Sequence, residues 1–192
     1  MVQQEFFIIV TGMSGAGQSL ALKHFEDMGF FCVDNLPPVL IPKFAEICRQ
    51  SSSITRVALG IDIRAGRFLD SLSDTLKEME NSEITYSILF LDAGDGTLIR
   101  RYSETRRRHP LKRRGRTIRE LMSQERNALK KIKERAHRII DTSNMTPREF
   151  KESLLSAYRE KGKRTFMEIT LISFGYKYGI PLEADLMLDT RF

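Results

Sequence analysis

Apolar positions along the chain fall into two alternating rhythms. Phe6 to Val10 (FFIIV) is a short continuous run of β-formers, the pattern of a strand buried on both faces of a parallel sheet. Beyond Gly12, Gly15 and Gly17 the rhythm turns helical, with Leu22, Phe25 and Met28 on one face and Gly29 where a helix C-cap is expected. A second strand, FFCVD, stops at Asn35-Leu36-Pro37-Pro38, because proline cannot donate to a ladder, and a helix over 39–50 follows. The pattern then gives a strand over 56–63 (RVALGIDI), a helix with Phe68, Leu72, Leu76 and Met79 on its inner face, a strand over 86–92 (YSILFLD) and a helix near 97–105. An amphipathic helix over 118–137 turns Leu121, Leu129 and Ile132 inward, a strand HRIID follows, and a last helix begins at Thr146-Pro147, where proline in the first turn is favourable.

Strands that alternate with helices predict an α/β fold with a doubly wound parallel sheet, since parallel strands need crossover connections. After Tyr158 the composition shifts: EKGKR reads as a charged linker and 165–173 (TFMEITLIS) as a new strand. The expected organisation is one α/β domain over 1–160 and the beginning of a second, incomplete domain over 161–192, whose last apolar residues have nothing after them to pack on.

The glycines between the first strand and first helix carry the chemistry. In GMSGAGQS, Gly12, Met13, Ser14, Gly15, Ala16, Gly17, Gln18 and Ser19 follow the spacing G-x-x-x-x-G-K-[ST], except that Gln18 stands where the lysine belongs. Such a loop binds phosphate because glycines let successive backbone N–H groups converge and the helix N-terminus adds partial positive charge. Ser19 is the expected hydroxyl ligand to a Mg²⁺ carried by the phosphates. A carboxylate at the end of an apolar strand should face the metal from the other side; Asp62 and Asp92 both qualify, and chain order favours Asp62. Gln18 bears on chemistry more than on fold, because an amide brings no charge to the phosphates.

Charge alters the picture locally. The chain holds 31 Lys/Arg and 25 Asp/Glu, yet positions 100–138 hold 16 and 4, so that segment carries +12 within an overall +6. Arg106, Arg107 and Arg108, with Lys112, Arg113, Arg114 and Arg116, admit three readings: a lid that closes on phosphates, a contact to nucleic-acid backbone, or a solvated face. Tyr102 is the only aromatic there, which gives no support to recognition by base stacking. His109 beside Pro110 reads as a loop residue. Cys32 and Cys48 lie among apolar neighbours and read as small core residues in a reducing, cytoplasmic setting. No apolar run approaches the roughly 18 residues of a membrane span.

Taken together, GMSGAGQS, FEDMGFFCVDNLPP, LFLDAGDGTLIRRYSETRRRHPL, IIDTSNM and SFGYKYGIPLEADLMLDTRF closely resemble the RapZ/YvcJ family of bacterial nucleotide-binding proteins, from one end of the chain to the other. The resemblance implies a P-loop kinase-like domain that binds ATP or GTP with Mg²⁺, with ATPase or GTPase activity that Gln18 weakens. It implies an ATP-binding stretch on Gly12 to Ser19 and a guanine-nucleotide motif on Asp62, Ile63, Arg64 and Ala65, while a phosphate lid on Arg106, Arg107 and Arg108 stays one of the three readings of the basic segment. It also implies, for some members, service as RNase adapters that bind small RNA, chiefly through a C-terminal domain continuing beyond the motif matched by LDTRF. Two departures stand out: the family has lysine at the position of Gln18, and it continues past Phe192. The leading expectation is a nucleotide binder with weak turnover; an RNA-binding regulator and a small-molecule kinase are the alternatives, and oligomerisation is left open.

Overall fold

Glycine and proline cut the apolar runs at the places where the chain changes direction, and five strands and six α-helices result among the described residues. The computed structural model describes residues 6–51, 53–61, 68–105, 111, 116–158, 170–182 and 184–189. The chain divides into two units, Met1–Arg159 and Glu160–Phe192. In the first, the strands are β1 (Phe6–Gly12), β2 (Phe31–Val33), β3 (Arg56–Gly60), β4 (Tyr86–Asp92) and β5 (Arg138–Asp141). The helices are α1 (Gln18–Asp27), α2 (Ile41–Gln50), α3 (Phe68–Asn81), α4 (Asp95–Thr105), α5 (Ile118–Glu134) and α6 (Pro147–Tyr158).

All strand pairs are parallel and the sheet order is β2-β3-β1-β4-β5. The doubly wound α/β architecture expected from the alternation of strands and helices is therefore present. Central β1 has β3 on one side and β4 on the other, with Val10 level with Gly60 and Gly12 level with Leu91. Its carboxyl end therefore opens beside the carboxyl ends of both neighbours, which is where open α/β sheets receive ligands. The core is built from Ile8, Ile9, Val10, Leu59, Ile88, Leu89 and Leu91 of the sheet, with Phe25 of α1, Leu72, Leu76 and Met79 of α3, and Leu121, Leu129 and Ile132 of α5. Each such side chain contributes about 1.5–3 kcal/mol on burial, so the periodic positions, more than local propensity, hold the helices in place.

Several boundaries differ from the periodic pattern for identifiable reasons. The helix expected over 39–50 is split into a 3₁₀ turn over Pro38–Leu40 and α2, because the chain restarts at Ile41 with Pro42 in the first turn. Helix α5 ends before 137: the N–H groups of Arg135 and Ala136 fold back on the Ile132 and Lys133 carbonyls, and His137 donates to Ile88 O of β4. Its start is set by a capping box in which Thr117 and Glu120 satisfy each other's backbone N–H groups. Thr146 and Glu149 do the same at the start of α6. Of the strand expected over 165–173, residues 165–169 lie outside the described residues, and 170–173 form no strand.

Neither cysteine forms a disulfide; Cys48 is buried and Cys32 half-buried. Burial, then the nearby Glu26 carboxylate, push the Cys32 thiol up to about 11, which keeps it protonated. Among the described residues no helix is long and apolar enough to cross a membrane. Within the second unit, Tyr176–Tyr178 form a 3₁₀ turn and the rings of Phe174 and Tyr176 meet edge to face.

Candidate phosphate-binding site

Gly12 ends β1 and the chain turns at once into α1. Met13 N–H donates to Leu91 O of β4 at 2.9 Å, and Ala16 N–H closes a turn on Met13 O at 2.9 Å. Gly12, Gly15 and Gly17 take φ values of 147°, 89° and 107°, a region L side chains rarely enter. Met13 and Ala16 are buried and anchor the loop, whereas Gly15 and Ser19 are exposed. The backbone N–H groups of Gly15, Gly17, Gln18 and Ser19 donate to no acceptor among the described residues. Four such donors stand together at a helix N-terminus, an arrangement that suits an anion, and Gly12 to Ser19 form the single turn that leads from β1 into α1.

Gln18 opens α1 without contributing charge. Its Nε2 is buried and has no hydrogen-bond partner among the described residues. The amide lies against β3: a Cβ placed on Gly60 would meet Gln18 Nε2 at 3.0 Å and Asp34 Oδ1 at 2.6 Å. Gly60 is thus the gap into which the Gln18 amide and the Asp34 carboxylate both fit.

Three side chains distant in sequence hold the loop. Arg101 of α4 donates through Nη1 to Gly15 O at 3.0 Å and to Thr142 Oγ1 at 3.0 Å, and through Nη2 to Thr142 O at 2.7 Å. Thr142, just past β5, donates from its hydroxyl to Ala16 O at 2.9 Å. On the other side Glu125 of α5, fully buried, accepts the Ser14 N–H through Oε1 at 2.9 Å. Beside the loop lies an open cavity of about 750 Å³, lined among others by Gly15, Gly17, Arg100, Arg101, Asn144 and Phe150, which is within the size range of small-ligand sites.

The two strand-end carboxylates fare differently. Asp62, together with Ile63, Arg64 and Ala65, lies outside the described residues, as do Arg106, Arg107 and Arg108. Asp92 is described, and it is committed elsewhere: Oδ1 accepts from Arg126 Nη1 at 2.9 Å and from Ala93 N at 2.8 Å, while Oδ2 accepts from Lys133 Nζ at 2.6 Å. With both oxygens engaged by cations, Asp92 does not fit a metal-facing role. Ser19 fits better, since its exposed hydroxyl has no partner among the described residues.

Burial pushes the Asp92 carboxyl upward, but the hydrogen bonds from Lys133 and Arg126 outweigh it and hold the group below the usual carboxylate range. A depressed folded-state pKa gives stability that is present above the unfolded value, near 3.9, and lost as pH falls through the folded value. Asp92→Asn is therefore expected to lower stability at pH 7 by about 1–2 kcal/mol, since both cations are partly exposed and screened. Urea melts should show this gap closing as pH drops below about 4; equal stability of the two proteins from pH 3 to pH 7 would contradict it.

Arg101, Thr142 and Glu125 were not singled out by the sequence patterns. Glu125 left a signal nonetheless, because an acid at a position flanked by inward Leu121, Met122 and Leu129 sits on the apolar face of its helix. Thr142 follows a strand at its carboxyl end, the usual place for site residues. Arg101 is hidden within a run of arginines.

Comparison with known proteins places this geometry in context. The model of the RapZ-like N-terminal domain matches residues 6–162. A "Nucleotide-binding protein" of Clostridium botulinum (strain Loch Maree / Type A3) is 51% identical over 188 residues, covering 97% of this chain and 64% of the relative. Another of that description, from Halothermothrix orenii, is 53% identical over 97% of this chain and 65% of the relative. The chain thus spans somewhat less than two thirds of the length of these curated relatives. Among solved structures, a shikimate kinase from Bacteroides thetaiotaomicron superposes with a TM-score of 0.50 at 19% identity, over 79% of this chain and 95% of that one. A sugar kinase from Janibacter does so with a TM-score of 0.50 at 15% identity, over 79% and 93%. These two show a shared P-loop kinase-like fold. With a domain model that spans the whole sheet and its helices, the chain belongs to the RapZ-like N-terminal domain family.

Proposed function

We propose that the chain binds ATP or GTP with Mg²⁺, holding the phosphates on the 12–19 loop and the nucleoside in the adjoining cavity, and that it turns the nucleotide over slowly at best. The observation that carries this reading is the set of four backbone N–H groups, at Gly15, Gly17, Gln18 and Ser19, left without acceptors among the described residues beside a cavity of about 750 Å³. The nucleotide-binding descriptions of the curated relatives support it. Ser19 would hold the Mg²⁺, whose charge offsets that of the phosphates. Arg100 and Arg101, which line the cavity, add positive charge near the loop, and Asp62 to Ala65 and Arg106 to Arg108 complete the proposed site. Gln18 supplies no ammonium to the transferring phosphoryl group, and loss of one preorganised donor typically costs about 10²–10³ in rate.

Titration with fluorescent ATP and GTP analogues, with and without Mg²⁺, is expected to give saturable binding that unlabelled nucleotide displaces. No saturation at millimolar nucleotide with Mg²⁺ present would sink the reading.

A further inference from the structure

Glu125 is the most deeply enclosed charged side chain among the described residues, with no exposed surface. It stands on the apolar face of α5 beside Leu121, Met122 and Leu129, all buried. A carboxylate there is costly unless hydrogen bonds hold its charge. Its Oε1 accepts the Ser14 N–H, 111 residues away in sequence, at 2.9 Å. A fully buried acid whose hydrogen bond ends on the backbone of the phosphate loop is placed to act on the loop.

The turn it touches is specific. Ser14 and Gly15 are the central residues of the turn closed by Ala16 N–H on Met13 O, and Gly15 has φ 89°, the positive value a type II turn requires at its third position. The peptide between Ser14 and Gly15 carries the Gly15 N–H, one of the four free donors. In a type I turn that peptide is flipped and the N–H turns over. A carboxylate that pins Ser14 N–H on one side, with Arg101 on Gly15 O on the other, opposes that flip.

We propose that Glu125 is a positioning residue for the phosphate site: its carboxylate fixes the turn that presents the Gly15 N–H, an inference that rests on the nucleotide reading above. Glu125 acts through the backbone and does not touch the ligand. What matters is the reach of its acceptor oxygen, and its negative charge adds nothing favourable toward phosphates.

The test compares the parent chain with Glu125→Gln, Glu125→Asp and Glu125→Ala. Each is titrated with Mg²⁺-ATP, checked by thermal melting, and examined by ¹⁵N–¹H spectra for the Ser14 and Gly15 amides. Glu125→Gln keeps an acceptor at the same reach and should bind within about threefold of the parent, with both amide signals near their parent positions. Glu125→Asp keeps the charge but withdraws it by one methylene; it and Glu125→Ala should bind about tenfold more weakly, with the two amide signals shifted or broadened. Parent-like affinity in Asp and Ala overturns the proposal, and so does a Gln variant as weak as Ala. Should Glu125→Ala fail to fold, the contrast between Asp and Gln decides. A parent that binds no nucleotide overturns the nucleotide reading instead, and the amide signals then decide whether Glu125 sets the turn.

Discussion

Gly12→Ala is expected to destabilise the chain by at least about 3 kcal/mol, because the new methyl has no place to go. A Cβ on Gly12 would sit 2.0 Å from Leu91 O and 2.7 Å from Leu91 N, both backbone atoms of the neighbouring central strand. Side-chain rotation cannot relieve that overlap; only separation of β1 from β4 would. The same residue has φ 147°, so backbone strain of about 1–3 kcal/mol adds to overpacking of similar size. Against a total stability of about 5–15 kcal/mol, and at roughly 2–4 °C per kcal/mol for a chain of this length, the melting temperature should fall by about 6–12 °C or more. Gly29→Ala is the control. Gly29 also has positive φ, at 82°, but nothing lies within 4 Å of its added Cβ, so it should lose only the left-handed penalty of about 1–2 kcal/mol. Calorimetric melts that place Gly12→Ala no lower than Gly29→Ala would refute the argument.

Gln18→Lys is expected to tighten nucleotide binding by about one to two decades. The residue opens α1 between the free N–H groups of Gly17 and Ser19, so an ammonium there adds a charge-assisted hydrogen bond worth about 1.5–3 kcal/mol, at 1.4 kcal/mol per tenfold. The parent amide gives up little when replaced, since its Nε2 is buried without a partner among the described residues. Asp34 shares the gap at Gly60 with that amide and offers the new ammonium an alternative partner, which places the expected gain nearer the lower end. The gain should shrink with added salt, and hydrolysis should rise along with affinity if Gln18 is what limits it. An unchanged dissociation constant in the substituted protein would show that the eighteenth residue does not reach the phosphates.

The two substitutions show how differently neighbouring loop residues can be understood from sequence. Gln18 was legible: the G-x-x-x-x-G spacing between an apolar strand and a helix identifies the position, and the missing lysine is a departure visible in the letters alone. Gly12 was legible only as part of that spacing. Its requirement for glycine comes from the Leu91 carbonyl, which the order β2-β3-β1-β4-β5 brings alongside. Asp92 makes the converse point. Its place at the end of an apolar strand marked it as an alternative metal-side carboxylate, yet Arg126 and Lys133 of α5 take both its oxygens. No local pattern could have foreseen this, because the partners lie 34 and 41 residues further on.

By itself the sequence determined the alternation of strands and helices, the doubly wound parallel sheet, and the loop from Gly12 to Ser19. Hydrophobic period, glycine freedom and proline's missing N–H are local properties that act within a few residues. Only the tertiary structure decided what surrounds the loop: Arg101 and Thr142 on its carbonyls, Glu125 on its Ser14 N–H, Asp34 beside Gln18, and Asp92 withdrawn into an ion cluster. These contacts depend on how parallel strands are ordered and on which helix each crossover sets down beside the central strand, and that order is written in no stretch of the chain short enough to show a pattern.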